Sequence, residues 1–473
     1  MKKEPSKKAY WPWLTFAIWL MIWFAVSHLV GSSVILPSPR STILALIKLV
    51  GTSDFYLNVL WTVIRTVLGI VLSFGLGAGC AVLAKRSSMF REFLRLPVSF
   101  FKSIPVMAIV IYVILVVKSN WVAVIVCFLM CFPIAYTNIL NGLEAMDREL
   151  IELGRTLGLS GRQMIRYIMR PALDSEIKTA LGLIASMSWK VVVASEVLAI
   201  PKFSIGYQML NSKYYLETPD LFAYMIVLIV LSLLMEKLVS CLTALKPERL
   251  GRTVEKDAAD AGIIEPVKDP EHIIFSEVSK TFVNEDGTVS KALDDLSLDF
   301  GPGVTAVLGP SGYGKTTMAR LITGLERPDT GSVKIGEDVR IGYLFQEDRL
   351  LPWLSVRDNM LLALAAGNCT GLEAEKAVEE MAEKLEIKDA LGMMPAELSG
   401  GMAHRTALGR TLLYGGNILI LDEPFRGLDE ELRTRVVEVI GDDIKPDDRP
   451  KTVIMITHDE DLAAMLADRV VRI

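Results

Sequence analysis

The sequence predicts two joined parts: an α-helical transmembrane bundle of about six spans, followed by an α/β P-loop domain. Three observations predict it. The chain is 51% hydrophobic, with a mean hydropathy of +0.40, too apolar for an ordinary soluble enzyme. The charge is split: residues 1–245 hold 23 Lys/Arg against 13 Asp/Glu, a net of +10, and the remainder holds 27 against 42, a net of −15. Apolar runs of about 20 residues, the length a bilayer needs, crowd the first half, and a glycine-rich phosphate-binding pattern lies in the second. The expected boundaries are 1–245 for the membrane part, 246–272 for a linker and 273–473 for the soluble domain. The linker expectation rests on a mixed-charge run with Pro266 and Pro270, a composition that suits a flexible tether. The acidic second half argues against a nucleic-acid partner.

The phosphate-binding pattern is Gly309-Pro310-Ser311-Gly312-Tyr313-Gly314-Lys315-Thr316-Thr317, after the apolar run Val304 to Leu308 and before a helix-like run from Met318. Glycines let consecutive N–H groups curl inward toward phosphate oxygens. The helix that follows presents its positive dipole end to the same anion. Lys315 adds a charge for the β- and γ-phosphates, and the Thr316 hydroxyl is a candidate Mg²⁺ ligand. The pattern therefore calls for ATP and Mg²⁺.

The membrane part starts with a lysine-rich N-terminus. Spans are expected at Trp11–Val30, 57–83, 97–117, 121–140, 180–200 and 221–242. The alternative for the first, a cleaved signal peptide ending near Ala25-Val26-Ser27, asks for a shorter apolar run than this one. Lys and Arg crowd the N-terminus, the second and fourth connections and the exit after the last span. By the positive-inside rule both termini and the soluble domain then face the cytoplasm, which places the chain as a multi-pass protein of the cytoplasmic membrane. The span at 180–200 holds Trp189, Lys190 and Glu196. An ionisable residue in a span costs roughly 2.5–3.5 kcal/mol on insertion scales, so it faces a cavity or a partner. Two readings of Lys190 stand: a positive lining for an anion pathway, or a side chain that snorkels or pairs with a neighbouring helix. Cys80, Cys127, Cys131, Cys241 and Cys369 show no metal-ligand spacing with histidine and read as reduced, packed thiols.

The fourth connection, near 144–171, reads Glu152-Leu-Gly-Arg-Thr-Leu-Gly158, then Ile168-Met-Arg-Pro171. It resembles the EAA loop of bacterial ABC importer permeases at Glu152, Gly158, Ile168 and Pro171, and departs from it at Leu153, Gly154 and Arg170. The resemblance implies a type I ABC importer permease whose loop forms a short helix pair docked in a cleft of the ATPase. Trp189-Lys190 with Glu196, and Leu36-Pro37-Ser38-Pro39, resemble stretches of the nitrate/sulfonate/taurine branch.

The soluble domain resembles an ABC ATPase along its length, and the resemblance implies the following roles. Phe282, in a strand-like Val278 to Phe282, would stack on adenine. Gln346 would touch Mg²⁺ and the attacking water. Leu398-Ser399-Gly400-Gly401 matches the ABC signature, whose hydroxyl and N–H groups would face the γ-phosphate of the other subunit. Met402, Ala403 and His404 depart from its usual continuation, and His404 reads as a helix-surface or packing residue. Asp422 would hold Mg²⁺, Glu423 would polarise the attacking water, and His458 would contact the γ-phosphate. Arg349-Leu-Leu-Pro-Trp353 and Val356-Arg-Asp-Asn359 again resemble the nitrate/sulfonate/taurine branch. After Arg469 only a strand-like tail is expected.

A signature that must meet a second P-loop implies a second copy of the chain, with two-fold symmetry the economical arrangement. The resemblance further implies a separate extracytoplasmic binding protein and import of a small, anionic solute such as a sulfonate, nitrate or taurine. Two rival readings remain at this point: an ABC exporter half-transporter and a membrane-anchored signalling ATPase.

Overall fold

The structure, a computed structural model, describes all residues except 1–10, 244–246, 261–271, 284–286, 311, 337–338, 366–370 and 445–450. Two compact units emerge: Met1–Met146 with Ala172–Ala244, and Asp147–Pro171 with Leu245–Ile473. The fourth connection thus belongs to the unit that holds the P-loop.

In chain order the helices are α1 (Trp11–Val30), α2 (Pro39–Val50), α3 (Ser53–Arg86), α4 (Ser88–Ser103), α5 (Val106–Val116), α6 (Ser119–Ala145), α7 (Arg148–Thr156), α8 (Gly161–Gln163), α9 (Arg170–Ala172), α10 (Asp174–Ala199), α11 (Ile205–Tyr214), α12 (Thr218–Thr243) and α13 (Pro247–Asp260). Among the described residues four helices, α3, α6, α10 and α12, are long and apolar enough to cross a membrane. The span expected at 97–117 is not one straight helix. It is broken between α4 and α5, which meet at 107°. Pro105 has no N–H to continue the helix and holds Ile104 extended, at φ −78° and ψ 136°. The first expected span, Trp11–Val30, forms α1, but its described apolar run, Leu14–Val30, is shorter than those of the four spanning helices.

The core of the first unit is the α3–α6 seam, with Val122, Val126, Cys127, Cys131 and Ala135 buried. Small residues let the two backbones close up. A Cβ on Gly69 would lie 2.5 Å from Cys127 Sγ, and one on Gly77 2.5 Å from Ala135 Cβ. Cys127 and Cys131 are packed free thiols, as expected; Cys241 is free but exposed on α12, and Cys369 lies outside the described residues.

Glu196 is fully buried, and its partner is Arg65 on α3, 4% exposed. The guanidinium reaches Glu196 at 2.8 Å, and the same nitrogen donates to the Phe203 carbonyl. Thr62 Oγ1 and the Gly206 N–H complete the carboxylate's bonds at 3.0 and 3.2 Å. Glu196 is therefore a structural joint between α3, α10 and the start of α11. Lys190, by contrast, is exposed on α10 while Trp189 is buried.

The second unit continues with β1 (Ile273–Val283), β2 (Val289–Phe300), β3 (Gly303–Leu308), α14 (Lys315–Ile322), β4 (Thr330–Lys334), β5 (Ile341–Leu344), α15 (Val356–Ala365), α16 (Gly371–Lys384), α17 (Gly400–Tyr414), β6 (Ile418–Asp422), α18 (Glu430–Ile444), β7 (Thr452–Ile456), α19 (Glu460–Leu466) and β8 (Arg469–Arg472). An antiparallel sheet runs β2-β1-β4, and a second sheet runs β5-β6-β7-β3-β8. The second sheet is parallel throughout. Its central strands β6 and β7 are buried at every residue, the continuous apolar pattern of a sheet covered on both faces.

The linker expected at 246–272 is not a tether where the structure describes it. Residues 247–260 form α13, with Val254 and Ala258 fully buried and Leu250 packed against the core of this unit. Leu250, Val254 and Ala258 recur every four residues, one helix face. The surrounding charges masked that period. The part 261–271 lies outside the described residues.

Removing one partner of the Arg65–Glu196 pair leaves the other buried and uncompensated, at a cost of about 3–5 kcal/mol. Arg65→Met should therefore lower the melting temperature of the chain in nanodiscs well below wild type. The double variant Arg65→Met with Glu196→Leu should recover most of the loss.

Candidate functional site

Sheet order places the candidate residues together. β6, β7 and β3 are adjacent and parallel, with Asp422 opposite Ile456 and Ile456 opposite Val307. The segments that leave their carboxyl ends carry Asp422-Glu423, Thr457-His458 and Gly309 onward, along the edge where open α/β sheets bind ligands. β5, beside β6, leads to Gln346.

The loop after β3 turns through Gly312 at φ +89° and Gly314 at φ +85°, the left-handed region where a side chain is strained. At Gly314 a Cβ would also strike the Ala292 carbonyl. Gly314 caps α14, so the first N–H groups of that helix open toward the loop. Lys315 is 9% exposed. Its ammonium folds back onto the Gly309 and Pro310 carbonyls at 2.5 and 2.8 Å. Gly312 and Tyr313 border an open cleft of about 450 Å³, shared with Lys291–Asp294, Leu296 and Ile473. Ser311 lies outside the described residues.

Thr316 Oγ1 donates to Asp422 Oδ2 at 3.1 Å. Burial pushes the Asp422 carboxyl up to about 6, against the lowering pull of Thr316, and the neighbouring Glu423 carboxylate adds to the rise. Glu423 sits at φ +56°, an uncommon conformation for a side-chain-bearing residue. Its N–H is held by the Ile456 carbonyl at 2.9 Å, and its carboxylate meets His458 Nδ1 at 2.8 Å. That hydrogen bond raises the His458 proton affinity, while the imidazole stays 78% exposed. The Gln346 carbonyl accepts from Arg426 at 2.7 Å, and its side chain is exposed. Lys315, Thr316, Asp422, Glu423 and His458 are thus brought into one linked group.

Leu398-Ser399-Gly400-Gly401 forms the start of α17. The Ser399 hydroxyl caps the helix by accepting from the Met402 N–H, and Ser399 and Gly400 are exposed. Among the described residues no hydrogen bond joins this stretch to the P-loop. Phe282 pairs with Ser290 and lies under the Lys280 ammonium at 5.5 Å. His404 is a packing residue rather than a helix-surface one. It is 1% exposed, between the Asp348 carboxylate at 2.8 Å and the Pro424 carbonyl at 3.1 Å.

The segment Asp147–Pro171 is seated on the same unit. Leu153, Tyr167 and Ile168 belong to its buried core. Gly158 sits at φ +63°. Bonds from Gly158 N–H to Arg155 O and from Leu159 N–H to Gly154 O close α7 with a Schellman motif. Gly154 leaves room for Ile168, whose Cδ1 would lie 2.5 Å from an added Cβ. Glu152 receives Arg320 at 2.7 and 2.9 Å and Arg349 at 2.9 Å. Burial alone would raise the Glu152 carboxyl, but these two guanidiniums hold it below its ordinary value. Arg320 lies on α14 and Arg349 lies three residues past Gln346. Arg410 of α17 donates to the Arg349 and Asp348 carbonyls at 3.0 Å each. One carboxylate therefore joins the P-loop helix to the Gln346 loop, and the signature helix braces that loop. Sequence reasoning missed Arg320 and Arg410 altogether, because their partners lie 168 and 61 residues away.

Two family models match: the ABC transporter model over residues 293–426 and the binding-protein-dependent transport system inner membrane component over residues 69–250. The aliphatic sulfonates import ATP-binding protein SsuB of Delftia acidovorans is 40% identical over 184 residues, covering 38% of this chain and 72% of that protein. SsuB of Bacillus subtilis is 35% identical over 203 residues, covering 41% and 77%. The Fe(3+) ions import ATP-binding protein FbpC of Agrobacterium fabrum is 37% identical over 217 residues, covering 43% and 58%. The chain belongs to the ABC transporter family. It is an ATP-driven importer that carries permease and ATPase in one chain, binds nucleotide and couples ATP hydrolysis to transport. The transporter's apolar helices mark it as a membrane protein.

Asp422 supplies a stability test with a definite sign. Its folded value is raised above the unfolded one, from 3.8 to about 6. The neutral form therefore favours folding at low pH, and that contribution is lost as pH rises toward 6. Without nucleotide, Asp422→Asn should melt higher than wild type at pH 8, by up to ~3 kcal/mol of stability for a shift of about two units. The difference should shrink by pH 5.

Proposed function

We propose that the transporter is half of a two-fold homodimer that imports a small anionic solute, of the sulfonate, nitrate or taurine kind, from a separate extracytoplasmic binding protein. Its place is the cytoplasmic membrane, with both termini and the ATPase on the cytoplasmic side. The observation that carries the importer reading is the Glu152 carboxylate held by Arg320 and Arg349. It gives the connection between two spans a seat on the ATPase, at the two elements that flank a nucleotide. Relatives named for aliphatic sulfonate import support the anion class. The exposed signature start at Ser399 and Gly400 supports a second copy, whose P-loop phosphates it would meet.

In this reading the N–H groups of 309–317 and the Lys315 ammonium bind the phosphates, Lys315 exchanging the Gly309 and Pro310 carbonyls for them. Phe282 stacks on the adenine. Glu423 orients the attacking water and accepts its proton, the kind of help that contributes roughly 10²–10⁴-fold. His458 holds Glu423 in place and reaches toward the γ-phosphate. The Thr316 hydroxyl and the Asp422 carboxylate already share a hydrogen bond, and hard oxygen donors of this kind fit Mg²⁺. Thr316, Asp422 and Gln346 would hold that ion, which supplies charge neutralisation at the phosphates.

Turnover of the chain in nanodiscs tests this reading, with and without a candidate binding protein, and with alkanesulfonates, taurine, nitrate and ferric ion in turn. Stimulation should require both the binding protein and one anion. Glu423→Gln should lower turnover at least 100-fold, on the scale of acid–base help. Turnover indifferent to every binding protein, but raised by hydrophobic compounds, would point to export.

A further inference from the structure

The helix that follows the last span is bonded to the seated segment. Only three residues separate Thr243, the end of α12, from Pro247, the start of α13. α13 lies against α15 closely enough that a Cβ on Gly251 would come within 2.6 Å of Asp358 Oδ2. Further along the helix, Asp257 accepts from the Tyr167 hydroxyl at 2.6 Å and pairs with Arg166 at 3.3 Å. Tyr167 is fully buried, and its main-chain carbonyl accepts from Trp353 Nε1 at 2.8 Å. Burial and the Asp257 carboxylate raise the phenol's proton affinity, so it stays a donor. Glu152 anchors the first half of Asp147–Pro171, and Tyr167 anchors the second half, to a different wall.

We propose that α13 is a docking surface for the chain's own segment Asp147–Pro171, so that the stretch after the last span grips the coupling element instead of merely tethering the ATPase. The coupling role rests on the importer reading; the docking does not. A separate-subunit permease has no covalent continuation of this kind into its ATPase. In the fused chain, α13 holds the π-helical turn Met164–Met169, while α14 and the Gln346 loop hold α7 through Glu152. Movement of the ATPase then reaches the segment at two points. The Tyr167–Asp257 bond is half-buried and charge-assisted, the stronger class of hydrogen bond.

The test is hydrogen exchange on the full chain in nanodiscs, for wild type, Tyr167→Phe, Asp257→Asn and the double variant. Each single change should speed exchange on the order of tenfold in both 164–171 and 251–258. The double variant should do no more than either single one, as for two ends of one bond. Exchange at 251–258 unchanged in Tyr167→Phe, or effects that add in the double variant, would overturn the proposal. Should Tyr167→Phe fold poorly, Asp257→Asn, which keeps the shape and an acceptor, carries the same comparison at smaller amplitude. A second arm measures uptake of ethanesulfonate per ATP hydrolysed in proteoliposomes with the binding protein. A several-fold fall in both single variants, with KM for ATP unchanged, assigns the docking to coupling. A wild type that moves no sulfonate, with the exchange result intact, would leave the docking established and the solute reading wrong.

Discussion

One carboxylate between two guanidiniums ties the segment Asp147–Pro171 to both the P-loop helix and the Gln346 loop. Glu152 bonds Arg320 and Arg349 at once, and all three side chains are shielded from solvent to a degree that makes a lone charge costly. The two arginines stand on different parts of the nucleotide site. Arg320 is one turn and a half along the helix that the P-loop opens, and Arg349 is on the loop that Gln346 begins. Its guanidinium is further stacked on Phe345 at 3.8 Å. A displacement between these two elements cannot leave Glu152 equally bonded to both. In the proposed mechanism, this joint is what would pass such a displacement to the segment.

The chemistry depends on a second constraint, the order of the parallel strands. With β7 between β6 and β3, the acidic pair, the histidine and the phosphate loop leave neighbouring strand ends. Local strain then aims them. Glu423 takes a left-handed conformation and is held there by the Ile456 carbonyl and by His458. Asp422 stays buried beside Thr316. Lys315 is parked on two loop carbonyls, and the proposed phosphate binding asks that side chain to move.

The motifs were legible because each is local. Glycines at 309–314 announce a loop that needs positive φ, Leu398 to Gly401 a helix start, and Ile418 to Glu423 a buried strand ending in acids. Gly158 is of the same kind, a motif glycine that a helix end requires. What the sequence hid is long-range. Nothing near Glu152 marks Arg320 or Arg349, and nothing near Glu196 marks Arg65. The broken span at Pro105 was hidden by hydropathy, which cannot see a backbone that turns. α13 was hidden by charge: its apolar face is three residues wide among two arginines, a lysine and several acids, and composition outweighed period. His404 stood out as an oddity, and burial between two acceptors explains why it is tolerated inside α17.

The measurement that tests the central claim most directly is the number of solute molecules imported per ATP hydrolysed, in proteoliposomes, for wild type and Glu152→Gln. The amide keeps the size of the side chain but loses the charge that binds both guanidiniums. The account predicts that the variant still hydrolyses ATP while import per ATP falls several-fold. An unchanged ratio would mean that the Glu152 joint does not carry the coupling.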